Sequence, residues 1–284
     1  MKKIIITLTV ALVASVAFLF LGTKQNEKKT LSQNETRVEK KPEMKNELEQ
    51  KIEKANAIIS KLSARAQNEI VISDYEKFFN DLNGVLDFGK QSESALDISL
   101  LTLVDKKHFL QSTYAPHDLV PLEQNNFFSI NRNDLSVRRE AFDALIALAK
   151  AARSDGIELL VSSSYRSFSY QEKVFAKWVA IDGEKEAERE SARAGTSQHQ
   201  LGTAIDFGSI DDNFAKTKMC AWLNENASSF GWSLSFPKSY ENETGYRWES
   251  WHFRYIGNLA CEFQKNYFND VQQFMLEFIN AWLS

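Results

Sequence analysis

Four histidines occur in this chain of 284 residues, and two of them keep company that could do chemistry. His199 stands in Ser197-Gln198-His199-Gln200-Leu201-Gly202-Thr203-Ala204-Ile205-Asp206, where an imidazole and a carboxylate are seven residues apart with a glycine between them. If the chain turns at Gly202, His199 and Asp206 converge. On a strand from Thr203 to Phe207, Ala204 and Asp206 face one way and Ile205 and Phe207 the other. Two such donors begin a tetrahedral zinc site, which needs a third. Glu249-Ser250-Trp251-His252 offers His252, with a second carboxylate three residues earlier. Three protein ligands leave zinc a position for water, whose pKa then falls toward about 7, and a carboxylate outside the ligand set can take its proton. Glu249 fits that role, while Asp206 is neutralised by coordination. On spacing alone a plainer alternative stands beside this one: His199 a surface residue, His252 a strand histidine with an ordinary partner, Asp206 a turn residue. His108 and His117 read as partly exposed loop residues.

Composition narrows the field. Two cysteines, Cys220 and Cys261, form no thiolate metal spacing, so any metal is held by His and carboxylate. Both fall in predicted helices, where buried free thiols are as fitting as a disulfide. With 34 basic and 38 acidic side chains the net charge is -4 and no basic block occurs, which sets nucleic acid aside as a partner.

Several elements must position these residues. A strand over 157–162 leads into Ser163-Ser164-Tyr165-Arg166-Ser167 and then a helix with Val174, Phe175 and Trp178 on one face, which puts Arg166 near a strand end. Ser136 is placed to cap a helix carrying Val137, Ala141, Leu145, Leu148 and Ala152, ended by Asp155-Gly156. Further strands are expected over 101–104, 232–236 and 251–256, an extended loop over 114–122, a helix over 213–228, and a last helix over 258–282. Helices and short strands without regular alternation point to α+β.

The N-terminal part is different. Lys2 and Lys3 precede an 18-residue apolar run, Ile4 to Leu21, whose helix would reach about 27 Å, close to the hydrocarbon thickness of about 30 Å. This favours an uncleaved membrane anchor over a cleaved signal and places the remainder outside the cytoplasmic membrane. Thr23 to Pro42 reads as a flexible tether. Leu48, Ile52, Ala55, Ile59, Leu62 and Ala66 form a short heptad seam, read as a helix resting on its own domain or serving as a stalk, with self-association through 48–66 as the alternative. Ser73-Asp74-Tyr75-Glu76 matches a capping box opening another helix. Three regions result: 1–22 anchor or signal peptide, 23–98 tether and stalk, 99–284 catalytic domain.

Taken together, Ser-x-His-x-x-Gly-x-Ala-x-Asp at 197–206, Glu-x-Trp-His at 249–252 and Tyr-Arg-Ser at 165–167 resemble the VanY-type D-alanyl-D-alanine carboxypeptidases, zinc peptidases grouped with lysostaphin-type enzymes and the hedgehog domain. The resemblance covers about 101–260 and includes the segment Tyr114 to Pro121. It implies a small antiparallel sheet carrying Zn2+, flanked by helices, with His199, Asp206 and His252 as ligands and Glu249 as general base and then acid. It implies that Arg166 meets the anionic end of the substrate or the developing oxyanion, work that a permanently charged guanidinium suits. Gln171 and Ser197 would help to orient the terminal alanine, and Trp251 would wall the site. Ser250 and Ser164 stand where the family often has Pro and Gly. The implied activity is removal of the C-terminal D-alanine from peptidoglycan stem peptides. The alternatives are an L,D-carboxypeptidase or endopeptidase on wall peptides and, in another class, a catalytically silent wall-binding scaffold.

Overall fold

The computed structural model describes residues 46–94 and 97–284. The apolar run 4–21 and the tether lie outside the described residues, among which no helix is long and apolar enough to cross a membrane. The chain divides into two units, Met1–Gln50 and Lys51–Ser284. In the first, residues 46–50 are described and helical.

Five strands of the second unit make the sheet that carries the candidate ligands: β2 (Phe128–Ile130), β4 (Leu159–Ser163), β5 (Ala204–Phe207), β7 (His252–Tyr255) and β6 (Trp232–Leu234), in that order. β1 (Leu119–Pro121) and β3 (Ser136–Arg138) form a separate antiparallel pair. The architecture is mixed α+β, as expected, but the sheet is not wholly antiparallel, because β2 runs parallel to β4. The chain between them contains the α4 helix (Arg139–Ser154), and a crossover helix is what a parallel neighbour requires. Alternation along β5 sends Ile205 and Phe207 into a core with Val161, Phe253 and the Ala141, Leu145 and Leu148 face of α4. Asp206 and Ala204 face the other side. A register shift between Val161 and Ser163 pairs Val161 with Phe207 on the core face and Ser163 with Asp206 on the opposite one. The irregularity re-aims Ser163 toward the site.

Three expected elements are built differently. Ser136 does not cap a helix; it lies in β3, and α4 begins at Arg139 with no side-chain cap. Residues 101–104 are not a strand. The Leu100 and Thr102 carbonyls accept hydrogen bonds from the buried Arg254 side chain, both at 2.8 Å, and those of Ser92 and Ile98 accept from Arg138 at 3.1 and 2.8 Å. Arg254 thus takes the Thr102 carbonyl, an acceptor that a strand would have offered to a ladder. The single helix expected over 258–282 is two, α9 (Asn258–Tyr267) and α10 (Gln272–Leu283), separated by Asn269 and Asp270, both in the left-handed region at φ 50° and 57°.

The N-terminal helices also depart from expectation. Residues 51–59 (α1) end in a turn, and Ser63 caps a second short helix, α2 (Ala64–Glu69), so the heptad series does not follow one helix. The α3 helix (Tyr75–Gln91) is capped by Asp74, which accepts from the Lys77 amide at 3.0 Å, one residue later than a box opened by Ser73. Phe78 then packs its ring against Phe263, Tyr267 and Phe278, with centroids 5.1, 4.9 and 5.6 Å away. The unit Lys51–Ser284 thus takes in these helices, and α3 rests on its own domain.

Candidate metal centre and active site

Glycine decides the first step. After a short 3-10 turn over Gln198–Leu201, Gly202 adopts φ +72°, and a Cβ there would lie 3.0–3.1 Å from Leu119, Arg138 and Pro116. The chain reverses and enters β5, bringing Nε2 of His199 within 3.2 Å of Oδ2 of Asp206. The β5–β7 register sets His252 opposite Asp206, with its Nδ1 3.0 Å from Oδ1. One donor atom from each of the three lies within 4.8 Å of the others, and all three side chains are buried. His108 and His117 lie elsewhere, beside Asp105 and Asp97, with their side chains 41% and 57% exposed.

The hydrogen bonds around this triplet define what it can hold. His199 Nδ1 lies 2.7 Å from the Ser164 carbonyl, which can only accept, so Nδ1 carries the proton and Nε2 presents a lone pair. His252 Nε2 lies 3.1 Å from the Gln198 side-chain oxygen, so its Nδ1 likewise presents a lone pair toward Asp206. His199 Nε2 and Asp206 Oδ1 are buried without hydrogen-bond partners. Burial, and then the neighbouring Arg166 charge, push the His199 imidazole down to about 4 and keep it neutral. Burial would raise the Asp206 carboxyl, but the two imidazoles outweigh it and hold the group well below the usual carboxylate range. Two nitrogens and one carboxylate oxygen converging on one buried point, with His199 Nε2 and Asp206 Oδ1 lacking hydrogen-bond partners, suit a divalent zinc-like ion. The residues present fit such an ion.

Around this centre is a cleft of about 670 Å³. Glu249 lines it, with Oε2 3.5 Å from His252 Nδ1. Burial, reinforced by the Asp206 charge, raises its carboxyl well above the usual range. Arg166 Nη2 donates to Asp206 Oδ2 at 3.1 Å, Nη1 to Gln171 Oε1 at 2.9 Å and Nε to Ser163 Oγ at 3.2 Å, while its backbone amide donates to the His199 carbonyl. The cation is thus clamped beside the triplet with one edge open to the cleft. Ser197 and Trp251 also line it. Ser197 caps the 3-10 turn, its hydroxyl accepting from the His199 amide at 3.3 Å. Gln171 is placed differently from expectation. It is fully buried behind Arg166, holding it from one end while donating to the Ala192 carbonyl at 2.7 Å from the other, and it does not line the cleft.

Spacing and motif missed other parts of this site. Phe236 tilts against the His252 ring at a centroid distance of 4.8 Å, and Tyr246 packs on Phe236 at 4.9 Å. Tyr170, Val174 and Trp178 present a stripe of the α5 helix (Phe168–Asp182) to the cleft, whose rim also carries Arg132, paired with Asp134, and Arg247, paired with Glu190 and Asp212. Only the α5 stripe had a sequence signal, in the Val174 and Trp178 spacing; Phe236 and Tyr246 come from segments with no chemical pattern of their own.

Comparison with known proteins places this geometry. The VanY family model, described as D-alanyl-D-alanine carboxypeptidase, matches residues 134–258, which include all three members of the triplet, Glu249 and Arg166. The Bacillus subtilis (strain 168) protein YodJ is 34% identical over 194 residues, covering 66% of this chain and 69% of that protein. A D-alanyl-D-alanine carboxypeptidase of Enterococcus faecalis (strain ATCC 700802 / V583) is 34% identical over 119 residues, which is 39% of this chain and 44% of the relative. Among solved structures, the LdcB LD-carboxypeptidase is similar with a TM-score of 0.56 and 33% identity, over 64% of this chain and 86% of that one.

Proposed function

The chain belongs to the VanY family of D-alanyl-D-alanine carboxypeptidases, and we propose that it hydrolyses the bond before the C-terminal D-alanine of peptidoglycan stem peptides. The observation that carries this reading is the convergence of one potential ligand atom from each of His199, Asp206 and His252 beside a separate carboxylate in one cleft. Held by those three residues, a zinc ion would supply Lewis acidity and lower the pKa of water toward about 7. The remaining work belongs to the chain. Glu249 takes a proton from the attacking water and returns it to the nitrogen of the leaving alanine, because it is the carboxylate beside the triplet that is not part of it. Arg166 offers its open edge to the charge that develops on the scissile carbonyl oxygen. Gln171, from behind, and Ser163, at Nε, keep that guanidinium from swinging away. The walls of Phe236, Tyr246 and Trp251 exclude water from the His252 side of the cleft.

Similarity to an LD-carboxypeptidase supports a second reading, in which the same centre acts on tetrapeptides. Mass spectrometry of defined tri-, tetra- and pentapeptide stems separates the two. The expected result is loss of one alanine from the pentapeptide ending in D-Ala-D-Ala. Loss from the tetrapeptide alone would transfer the assignment to the second reading, and three unchanged masses would leave a silent scaffold. We further propose that the enzyme works outside the cytoplasmic membrane, anchored by Ile4 to Leu21, which agrees with the location of its substrate. Recovery of the full chain in the soluble cytoplasmic fraction would contradict this.

A further inference from the structure

The His252 ring is held from behind by a buried relay of neutral groups that leads out of the family-matched region. Its Nε2 donates to Gln198 Oε1 at 3.1 Å, and the Ser235 hydroxyl donates to the same oxygen at 2.7 Å. At its other end Gln198 Nε2 donates to Gln272 Oε1 at 3.4 Å, and Gln272 Nε2 donates to the Ser233 carbonyl at 3.4 Å. The Ser235 hydroxyl also lies 3.3 Å from Gln272 Oε1, but it has one proton and Gln198 is closer. Gln198, Ser235 and Gln272 are 5%, 2% and 1% exposed, so water does not substitute freely for any of these partners. Gln272 opens α10, beyond the matched residues 134–258.

The direction of the relay matters because an amide has unlike ends. With its oxygen toward His252, Gln198 demands a proton on Nε2 and leaves the Nδ1 lone pair facing Asp206. With the amide reversed, its NH2 group would demand an acceptor at Nε2. The proton would then sit on Nδ1 and bond to Asp206 Oδ1, 3.0 Å away, closing the triplet against any cation. Within this group the reversed amide is opposed by the Gln272 oxygen, which it would meet with an oxygen of its own. We propose that Gln272 is a positioning residue for the metal centre: by locking the Gln198 amide it sets the His252 tautomer that leaves Nδ1 free to ligate. This rests on the reading that His199, Asp206 and His252 hold a divalent ion.

The test uses the full-length protein, stripped with a chelator, and zinc alone as the probe, with affinity measured by competition against a chromophoric chelator. Gln272→Leu is expected to weaken zinc binding by about tenfold, in the range of losses seen when outer hydrogen bonds to ligands are removed. Gln198→Leu removes the amide that Gln272 locks, so zinc binding in that background should not respond further to Gln272→Leu. Nitrogen-15 spectra of the metal-free protein give a second readout: His252 carries its proton on Nε2 in the unmodified protein, and an Nδ1–H population grows in Gln272→Leu. Unchanged affinity in Gln272→Leu would overturn the inference. So would an equal loss in the Gln198→Leu background, which would assign the effect to disturbed packing of α10, or an unaltered tautomer. Absence of stoichiometric zinc binding by the unmodified protein would instead remove the metal reading itself, and the inference with it.

Discussion

Two carboxylates that flank the same His252 nitrogen, at 3.0 and 3.5 Å, have been given opposite electrostatic settings. Asp206 is held ionised between imidazoles and a guanidinium, whereas burial and the Asp206 charge raise the proton affinity of Glu249. A carboxylate that must hand back a proton cannot also be spent on coordination. Glu249→Gln keeps the side-chain volume and leaves all three ligand residues in place, so zinc should be retained at full stoichiometry while kcat falls by roughly 10²- to 10⁴-fold. Steady-state assay with metal analysis of the same sample checks both halves, and undiminished turnover would remove Glu249 from proton transfer. Gln171 makes a different prediction, because it touches Arg166 and not the cleft. In Gln171→Leu the guanidinium loses its 2.9 Å acceptor and the Ala192 carbonyl its donor. Since Arg166 Nη2 sits on Asp206, beside the reacting centre, misplacement of about 1 Å should lower kcat by up to about 10²-fold with little change in KM. A rise in KM at constant kcat would show instead that Arg166 grips the substrate carboxylate.

At the level of elements, the aromatic contact between α3 and the C-terminal helices is the feature with the clearest energetic consequence. Phe78 is fully buried among Phe263, Tyr267, Phe268 and Phe278. Phe78→Ala should cost about 3–5 kcal/mol of stability, read as a lower urea midpoint with an unchanged slope. A cost below 1 kcal/mol would mean that α3 merely rests on the unit. This contact also shows what sequence could and could not reveal. The capping box at 73–76 announced a helix, but nothing local named the helices that its Phe78 would meet. The site motifs were legible because each joins ligand chemistry to backbone punctuation: Gly202 between His199 and Asp206, and Arg166 at a strand end before the Ser167 cap. The segment 101–104 was misread because its fate depends on Arg254, some 150 residues away in sequence. The break in the last helix had a local cue in Asn269-Asp270, residues that tolerate left-handed backbone, but it is weak inside a strongly apolar amphipathic run. Gln171 was misassigned for a related reason: motif position brings it to Arg166 but does not say on which side.

Across the 51–284 unit, metal binding and folding must be coupled. The stripped centre gathers two imidazoles and a carboxylate at one buried point, with His199 Nε2 and Asp206 Oδ1 lacking hydrogen-bond partners and Arg166 on the other carboxylate oxygen. The unfolded chain separates those groups and solvates each, so a divalent ion binds the native state with strong preference. At a free zinc concentration 100-fold above its dissociation constant, binding adds about 2.7 kcal/mol, which for a unit of this size raises the melting temperature by roughly 5 to 10 °C. Chelation should reverse that shift, and Asp206→Asn, which removes the anion, should abolish most of the response to chelator. The connections of the fold determine the shape of the transition as well as its position. Arg254, two residues beyond His252 on β7, holds the backbone of 100–102, and the same C-terminal helices that supply Gln272 to the relay pack on Phe78 of α3. The N-terminal helices of the unit should therefore melt together with the sheet. Calorimetry should show one transition that moves as a whole when zinc is removed. A chelator-insensitive second transition would show that residues 51–98 unfold on their own, and an unmoved single transition would show that no metal contributes to the native state.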